Sequence, residues 1–290
     1  MSLKPFGLLA SSLAFTIATL IALRGARKKS LSKTGAIAAW LVGFLSVGSG
    51  MRGFVLLFFY QIGSSATKYK KAIKEQRDAT ASEGSVRGPS QVFACSIIAV
   101  ILSLAHVCIV GEERAIDFVN SKFASTLTCA ILAHHSTCLA DTLASELGIL
   151  STSLPILILP PWNLVPPGTN GGVTLWGTMW SAIGGTMMGI ATVMMDLMSR
   201  ISPVHSVQLI ALSTVCGLLG SVIDSLVGAT LQVTYLDPDT KLVHHEYSKP
   251  HFKHICGKDV LSNVQVNLIS VAITTYIGGW VLGPIFFGDK

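Results

Sequence analysis

The sequence predicts an all-α fold: a polytopic integral membrane helical bundle of about eight transmembrane helices, forming a single multi-pass domain over residues 1–290. Three observations lead to this fold class. Half of the residues are hydrophobic and only 12% are charged, whereas about 25% of the residues in soluble domains carry a charge. The apolar residues form runs of about 20, the length that crosses a bilayer as a helix. The basic residues gather between those runs.

Six apolar runs are each long enough for one crossing, and they cover residues 5–23, 90–110, 122–146, 171–198, 204–231 and 264–287. A further stretch is rich in glycine and is interrupted at Gly48, Gly50 and Arg52. We divide it into two short crossings, 34–49 and 51–66. No clean cleavage site follows the first run, so we expect a retained helix there and not a removed signal peptide.

The distribution of Lys and Arg predicts the topology. Fifteen of these residues lie in three loops, 24–33, 67–89 and 232–263, and six lie on the opposite side together with both termini. The positive-inside rule places the three basic loops in the cytosol or its equivalent within an organelle. The net charge of +6 is explained by this orientation. We therefore predict the lipid bilayer, and no nucleic acid, as a partner.

Two carboxylates interrupt apolar helices, where an ionisable group is costly and marks a functional site. Asp141 lies in HHSTCLADTLASELG and Asp224 lies in GSVIDSLVGATLQ. The helical period places each on a face with polar or small residues, namely His134, Cys138 and Ser145 for the first and Gly228 and Gln232 for the second. The simpler alternative is a carboxylate near a helix end that reaches water. The same alternative applies to Glu146, which lies at the predicted interface.

A glycine-rich turn follows Pro166 and Pro167, and we predict that it opens the helix over 171–198. Such a turn presents free N–H groups and the positive end of the helix dipole, which together suit phosphate. The predicted phosphate ligands are Gly168, Thr169, Asn170, Gly171 and Gly172. The alternative is a turn that uses Gly and Asn only for their left-handed conformations.

These features converge on one membrane face in the predicted topology. Carboxylates that can hold Mg²⁺, a backbone cradle for phosphate and a cationic rim are the parts of a phosphoryl-transfer site. We therefore hypothesise that Asp141 and Asp224 bind Mg²⁺ and that a nucleoside triphosphate binds beside them.

Four segments, in the same order, resemble the transmembrane protein 19 family between about residues 32 and 285: ADTLASELG, VPPGTNGGVTLWG, GSVIDSLVGATLQ and HICGKDVLSNVQVN. The plant branch of that family includes phytyl-phosphate kinase. The pattern from Asp141 to Gly148, followed by Gly168 and Thr169, is also similar to dolichol and phytol kinases, which use CTP.

The resemblance implies a kinase that transfers phosphate from a CTP-like nucleoside triphosphate to a prenyl alcohol or prenyl phosphate, such as phytyl phosphate. It implies catalytic roles for Asp141, Ser145, Glu146 and Asp224. For this kinase hypothesis we also expect basic residues of the last loop to close over the phosphates, namely Lys249, Lys253 and Lys258.

The chain departs from the family pattern at two places. Cys95 and Ser96 stand where relatives have Asn and Gly, and SLPILILPPWNLV lacks the Arg and Lys that relatives carry before the glycine-rich turn. Two other functions therefore stay open: a membrane transporter or channel, in which intramembrane Asp residues couple to ions near the midplane, and a structural family member without activity. The sequence leaves both the endoplasmic reticulum and the plastid envelope open as locations.

Overall fold

The computed structural model describes residues 4–79, 86–246 and 250–288 of the chain, and these are mostly helical. The helices, in chain order, are α1 (Leu8–Arg27), α2 (Lys33–Ser49), α3 (Val55–Lys68), α4 (Lys71–Glu75), α5 (Pro89–Ala94), α6 (Ile97–Ile109), α7 (Lys122–Gly148), α8 (Leu175–Met198), α9 (Ser206–Leu231), α10 (Asn263–Tyr276) and α11 (Gly283–Phe287). A 3₁₀ turn, Met51–Phe54, leads into α3, and a π-helical turn, Ile277–Leu282, joins α10 to α11.

Among the described residues, four helical segments are long and apolar enough to cross a membrane: Leu8–Arg27, Leu175–Met198, Ser206–Leu231 and Asn263–Phe287. Two shorter apolar helices are α2 and α6. The predicted crossings all coincide with helical segments, but length and hydropathy support four of them as spans. These four candidate spans agree with the predicted integral membrane bundle, and the count of eight stays a prediction.

Several predicted boundaries were wrong. The helix expected over 171–198 begins at Leu175, because Gly172 and Val173 form a strand and the Thr174 hydroxyl caps the helix by accepting a hydrogen bond from the Gly177 amide. The run 90–110 is divided at Cys95 and Ser96 into α5 and α6. The basic segment expected to be a loop from residue 24 is helical as far as Arg27.

The helix at the centre of the bundle is α7. It packs against α3, α6, α8, α9 and α10, and it is buried along most of its length. Small residues let the backbones approach closely, as membrane helix interfaces require. A Cβ atom on Gly184 of α8 would lie 2.7 Å from Ala140 Cα of α7, and one on Gly217 of α9 would lie 2.9 Å from Gly185 Cα of α8.

Short strands cover one end of the bundle, and the all-α prediction omitted them. Within the described residues, β1 (Ile156–Leu157) pairs with β2 (Gly172–Val173), and β3 (Thr234–Leu236) pairs with β4 (Val243–His244) and β5 (Lys253–Cys256), all antiparallel. At this end, α7 and α9 finish and α8 and α10 begin. We call it the site end.

Candidate functional site

A polar cavity of about 1000 Å³ lies at the site end. The ends of α7 and α9, the beginnings of α8 and α10, and the segment around α4 form its walls. It brings together every residue predicted for the site except the lysines of the last loop: Asp141, Ser145, Glu146, Gly168, Thr169, Asn170, Gly171, Gly172 and Asp224. Lys253 is exposed and does not line the cavity. Lys258 is exposed and does not line it, and Lys249 falls outside the described residues.

Asp141 lies about two turns before the end of α7, on the cavity wall. It is half-buried, and within the described part of the chain no donor hydrogen bonds to its carboxylate. It lies close enough to Asp224 for the two negative charges to interact. A carboxylate that lacks a protein donor and faces a cavity is available to a cation.

Asp224 is positioned by α10. The Ser270 hydroxyl donates to Asp224 Oδ1 at 2.9 Å, and the Asn267 amide, oriented to satisfy its own hydrogen bonds, donates to the same oxygen at 3.2 Å. The second oxygen, Oδ2, takes no hydrogen bond from the described residues. The predicted shared face holds, because Gly228 and Gln232 line the cavity together with Asp224.

The polar face predicted for α7 divides in two. Asp141 and Ser145 line the cavity, whereas His134 and Cys138 are buried in the core, with His134 Nδ1 at 3.8 Å from Cys138 Sγ. The Ser145 hydroxyl donates to the carbonyl oxygens of Asp141 and Thr142 within its own helix, at 3.0 and 3.2 Å.

The glycine-rich turn supplies fewer free amides than a helix N-terminus would. The amides of Thr169, Asn170 and Gly172 donate to Pro166 O, Thr234 Oγ1 and Thr169 O. Gly168 and Gly171 have φ angles of +90° and +72°, which favour glycine. No described residue accepts from the amides of Gly168 and Gly171, so these two N–H groups are the ones that the turn can offer to an anion.

Lys74, in α4, is the buried cation of the cavity wall. Its ammonium donates to Ala66 O at 3.0 Å and to Thr67 O at 2.7 Å, and it forms an ion pair with Glu146. Its side chain is only 4% exposed. Glu146 is therefore not a solvated interfacial carboxylate, because it neutralises a buried lysine at the edge of the site.

Arg87 is the second cation on the wall. Its guanidinium reaches Thr67 Oγ1 at 3.3 Å and Ser64 Oγ at 3.5 Å, which are long hydrogen bonds, and no described carboxylate pairs with it. Arg77 lies nearby and donates to the carbonyl oxygens of Ile149 and Ser151, where it ties the segment to the end of α7. Lys74 and Arg87 thus bring positive charge to the cavity wall from the basic segment 67–89. Its six Lys and Arg residues were the available signal.

The chemistry of the walls fits Mg²⁺. This ion takes one or two protein carboxylates and fills its other positions with water and substrate phosphates, and Asp141 and Asp224 supply that number. A group of three metal-type ligands lies elsewhere among the described residues, at Asp237, Asp239 and His251 in the α9–α10 loop. There the amide of Asp239 donates to Asp237, and this hydrogen bond, against the opposing effect of desolvation, lowers the pKa of Asp237.

A second buried charge pair lies at the opposite end of the bundle, and the sequence prediction did not assign it. The Arg52 guanidinium binds both carboxylate oxygens of Asp196, at 2.6 and 3.0 Å. Glu113 accepts from the amides of Met51 and Arg52 at the 3₁₀ turn. Arg52 interrupts its apolar run because it is paired inside the protein.

The sequence model of a protein family described as integral membrane protein DUF92 matches residues 16–275 of the chain. The chain belongs to the DUF92 family of integral membrane proteins. The resemblance to the transmembrane protein 19 family is thereby confirmed, since the two names refer to one family.

Similar proteins include Protein PGR of Arabidopsis thaliana, 36% identical over 271 residues that cover 91% of this chain and 93% of the relative. An uncharacterised membrane protein of Synechocystis sp. is 30% identical over 211 residues, which are 71% of this chain and 74% of that protein. Protein VTE6, chloroplastic, of Arabidopsis thaliana is 28% identical over 151 residues, which are 51% of this chain and 43% of that protein. No solved structure matches the chain.

Proposed function

We propose that this member of the DUF92 family is a lipid kinase. It transfers phosphate from a nucleoside triphosphate, CTP-like in its recognition, to a prenyl alcohol or a prenyl phosphate such as phytyl phosphate. One observation carries the proposal: a single cavity is lined by Asp141 of α7, Asp224 of α9, the cations Lys74 and Arg87, and the glycine-rich turn. Positioning and charge stabilisation are the main requirements of phosphoryl transfer, and these groups supply both.

The carboxylates are the residues that would hold Mg²⁺. Bound Mg²⁺ supplies charge neutralisation at the phosphates of the donor. Asp224 is held in place by Ser270 and Asn267, and Asp141 faces the cavity without a protein donor. Asp224 would supply a fixed ligand for the cation, and Asp141 would supply a second ligand that no protein donor holds in place.

Arg87 is the cation with capacity for a phosphate. Its contacts to hydroxyl groups are long, whereas Lys74 already contacts two carbonyl oxygens and Glu146. A guanidinium binds phosphate through two parallel hydrogen bonds. Arg87 therefore binds the transferred phosphate or the phosphate next to it. Lys74 holds in place the part of the cavity wall that carries Arg87.

Whether the reaction needs a general base depends on which lipid accepts the phosphoryl group. A prenyl phosphate is largely doubly ionised at pH 7, because its second pKa is about 6, so one of its oxygens attacks without losing a proton. A prenyl alcohol must give up its hydroxyl proton, and Asp141 or Asp224 would accept it. The proposal therefore predicts a larger loss of activity on an alcohol than on a phosphate when the accepting carboxylate is removed.

The location of the cavity supports an enzyme over a transporter. It is bounded by the ends of α7, α8, α9 and α10, whereas transport sites lie near the bilayer midplane. We extend the proposal to a topology of eight crossings with this end on the basic, cytosolic or stromal, side. A plastid envelope location is supported by the similarity to a chloroplastic relative.

The test is direct assay of the purified protein. Labelled CTP and ATP are each incubated with Mg²⁺ and with phytol, phytyl phosphate, dolichol or farnesyl phosphate, and the lipid products are separated. We expect label in a lipid diphosphate or monophosphate that depends on Mg²⁺. No label in any lipid, with a folded protein and both nucleotides, overturns the proposed function.

A further inference from the structure

We propose that a window between α8 and α9 lets the apolar tail of a membrane lipid pass from the cavity to the bilayer while its polar head stays inside. This inference rests on the proposed function, because it assigns the route of the lipid substrate. The ligand class is a long-chain prenyl phosphate or alcohol. The window is defined by Thr178 and Ser181 on α8 and by Leu218 and Val222 on α9.

Below the window, α8 and α9 are in close contact. The Ser213 hydroxyl donates to Gly185 O at 2.6 Å, and the hydroxyls of Thr186 and Thr214 lie 2.8 Å apart. A Cβ atom on Gly217 would lie 2.9 Å from Gly185 Cα. Backbones this close leave no space for a lipid chain. The seam, by which we mean the line of contact between α8 and α9, is therefore closed at this level.

Above the window, the glycine-rich turn packs onto α9. A Cβ atom on Gly171 would overlap Ala229 Cβ and lie 2.7 Å from Ser225 O. The turn therefore seals the cavity against α9 at the level of these residues. Between Gly217 and Ser225 the helix rises about 12 Å at 1.5 Å per residue, which is the height of the seam that remains.

Between these two contacts, one residue of each helix lines the cavity and is also exposed. These residues are Thr178 and Val222, the latter at 45%. Ser181 and Leu218 line the cavity further in. We assign the opening of the cavity to the interface between α8 and α9 at these exposed lining residues.

The surface around the window is apolar. Exposed Trp176 and Met179 on α8 and Leu226 on α9 flank it, and both helices are long and apolar enough to span a membrane. A water-soluble acceptor would use only the polar end of the cavity. An opening through a lipid-facing wall suits an amphiphile, whose tail gains by staying in the bilayer.

The test narrows the window and compares long and short acceptors. Val222→Trp fills it from α9, and Thr178→Trp fills it from α8. Val215→Trp is the matched control, because Val215 lies two turns earlier on the same face of α9, is exposed, and is absent from the cavity wall. We expect each window variant to lower kcat/KM for phytyl phosphate at least tenfold more than for isopentenyl phosphate, and Val215→Trp to change neither.

A photoreactive probe gives a readout that does not require turnover. A prenyl phosphate with a diazirine at the end of its tail should label α9 residues around Val222 in the wild type and lose that labelling in Thr178→Trp. Equal effects on both acceptors, or labelling away from α8 and α9, overturns the window. If the wild type transfers no phosphate to any lipid, the proposed function fails, and the labelling pattern alone then decides the window.

Discussion

Asp141 is the residue whose environment most directly indicates a cation. Its carboxylate faces the cavity, interacts with the charge of Asp224 and accepts no hydrogen bond from the described residues. A carboxylate that only extends from a helix end into solvent would show no preference for Mg²⁺. A metal ligand links Mg²⁺ binding to folding, because an ion bound only by the folded state stabilises it.

Asp141→Asn should therefore abolish stabilisation by Mg²⁺. At ten times its dissociation constant, Mg²⁺ contributes about 1.4 kcal/mol, and we expect it to raise the Tm of the wild type by roughly 3 °C. The variant should show no rise, and its Tm without Mg²⁺ should equal or exceed that of the wild type, since a repulsive charge is gone. Glu112→Gln removes an exposed carboxylate that lies outside the cavity wall, and it should keep the Mg²⁺ response. Equal Mg²⁺ responses in Asp141→Asn and the wild type would exclude Asp141 as a metal ligand.

The sequence identified the two aspartates because a charge in an apolar run stands out. It did not identify Lys74 or Arg87 as residues of the cavity wall, because both lie in a basic segment where every cation has the same immediate surroundings. Only the tertiary structure distinguishes these two residues from the other cations of the segment. Lys74 is buried against Glu146, which is distant in sequence, and Arg87 faces the cavity. Arg52 was visible as an interruption, but its partner Asp196 could be found only from the fold.

At the scale of the elements, the glycine-rich turn has two separable requirements. Gly171 needs a positive φ and also close approach to α9, whereas Gly111, at the end of α6, has a φ of +88° and no neighbour within 4 Å of a Cβ. Gly111→Ala should cost only the strain of a left-handed residue, about 1 kcal/mol. Gly171→Ala should cost about 1–3 kcal/mol more because of overpacking against Ala229.

The measurement is the unfolding free energy of the two variants in the same detergent. If Gly171→Ala is no less stable than Gly111→Ala, the turn does not pack on α9 as described. This packing also means that a bulky substitution at Gly171 would impair folding, so a loss of phosphate binding in such a variant would not by itself identify a phosphate cradle.

Helix positions were predictable from apolar runs, whereas the start of α8 was not. The sequence placed the turn inside the helix because Gly and Asn permit many conformations and a following apolar run favours helix. Pairing of Gly172 and Val173 with Ile156 and Leu157 displaced the helix start to Leu175. Such a pairing depends on residues about 15 positions apart, and two-residue strands have no periodicity to detect.

At the scale of the whole molecule, the structure brings the basic segment 67–79 and the loop segment 232–246 to the same end of the bundle as the cavity. The variants Gln76→Cys and Lys241→Cys, in a background that replaces the exposed Cys108 with Ser, should react with a membrane-impermeant maleimide from one side of sealed vesicles. Val119→Cys should react from the other side. Labelling of Gln76→Cys and Val119→Cys from the same side would contradict the predicted topology and its eight crossings.

Transfer of labelled phosphate to phytyl phosphate at saturating Mg²⁺ tests whether Asp141 and Asp224 form one phosphoryl-transfer site. Wild type should transfer phosphate, and Asp141→Asn and Asp224→Asn should each fall by at least 100-fold while remaining folded. The double variant should be little worse than either single variant, because residues that act as a unit are not additive. Wild-type activity in Asp141→Asn, or full additivity of the two substitutions, would contradict the account.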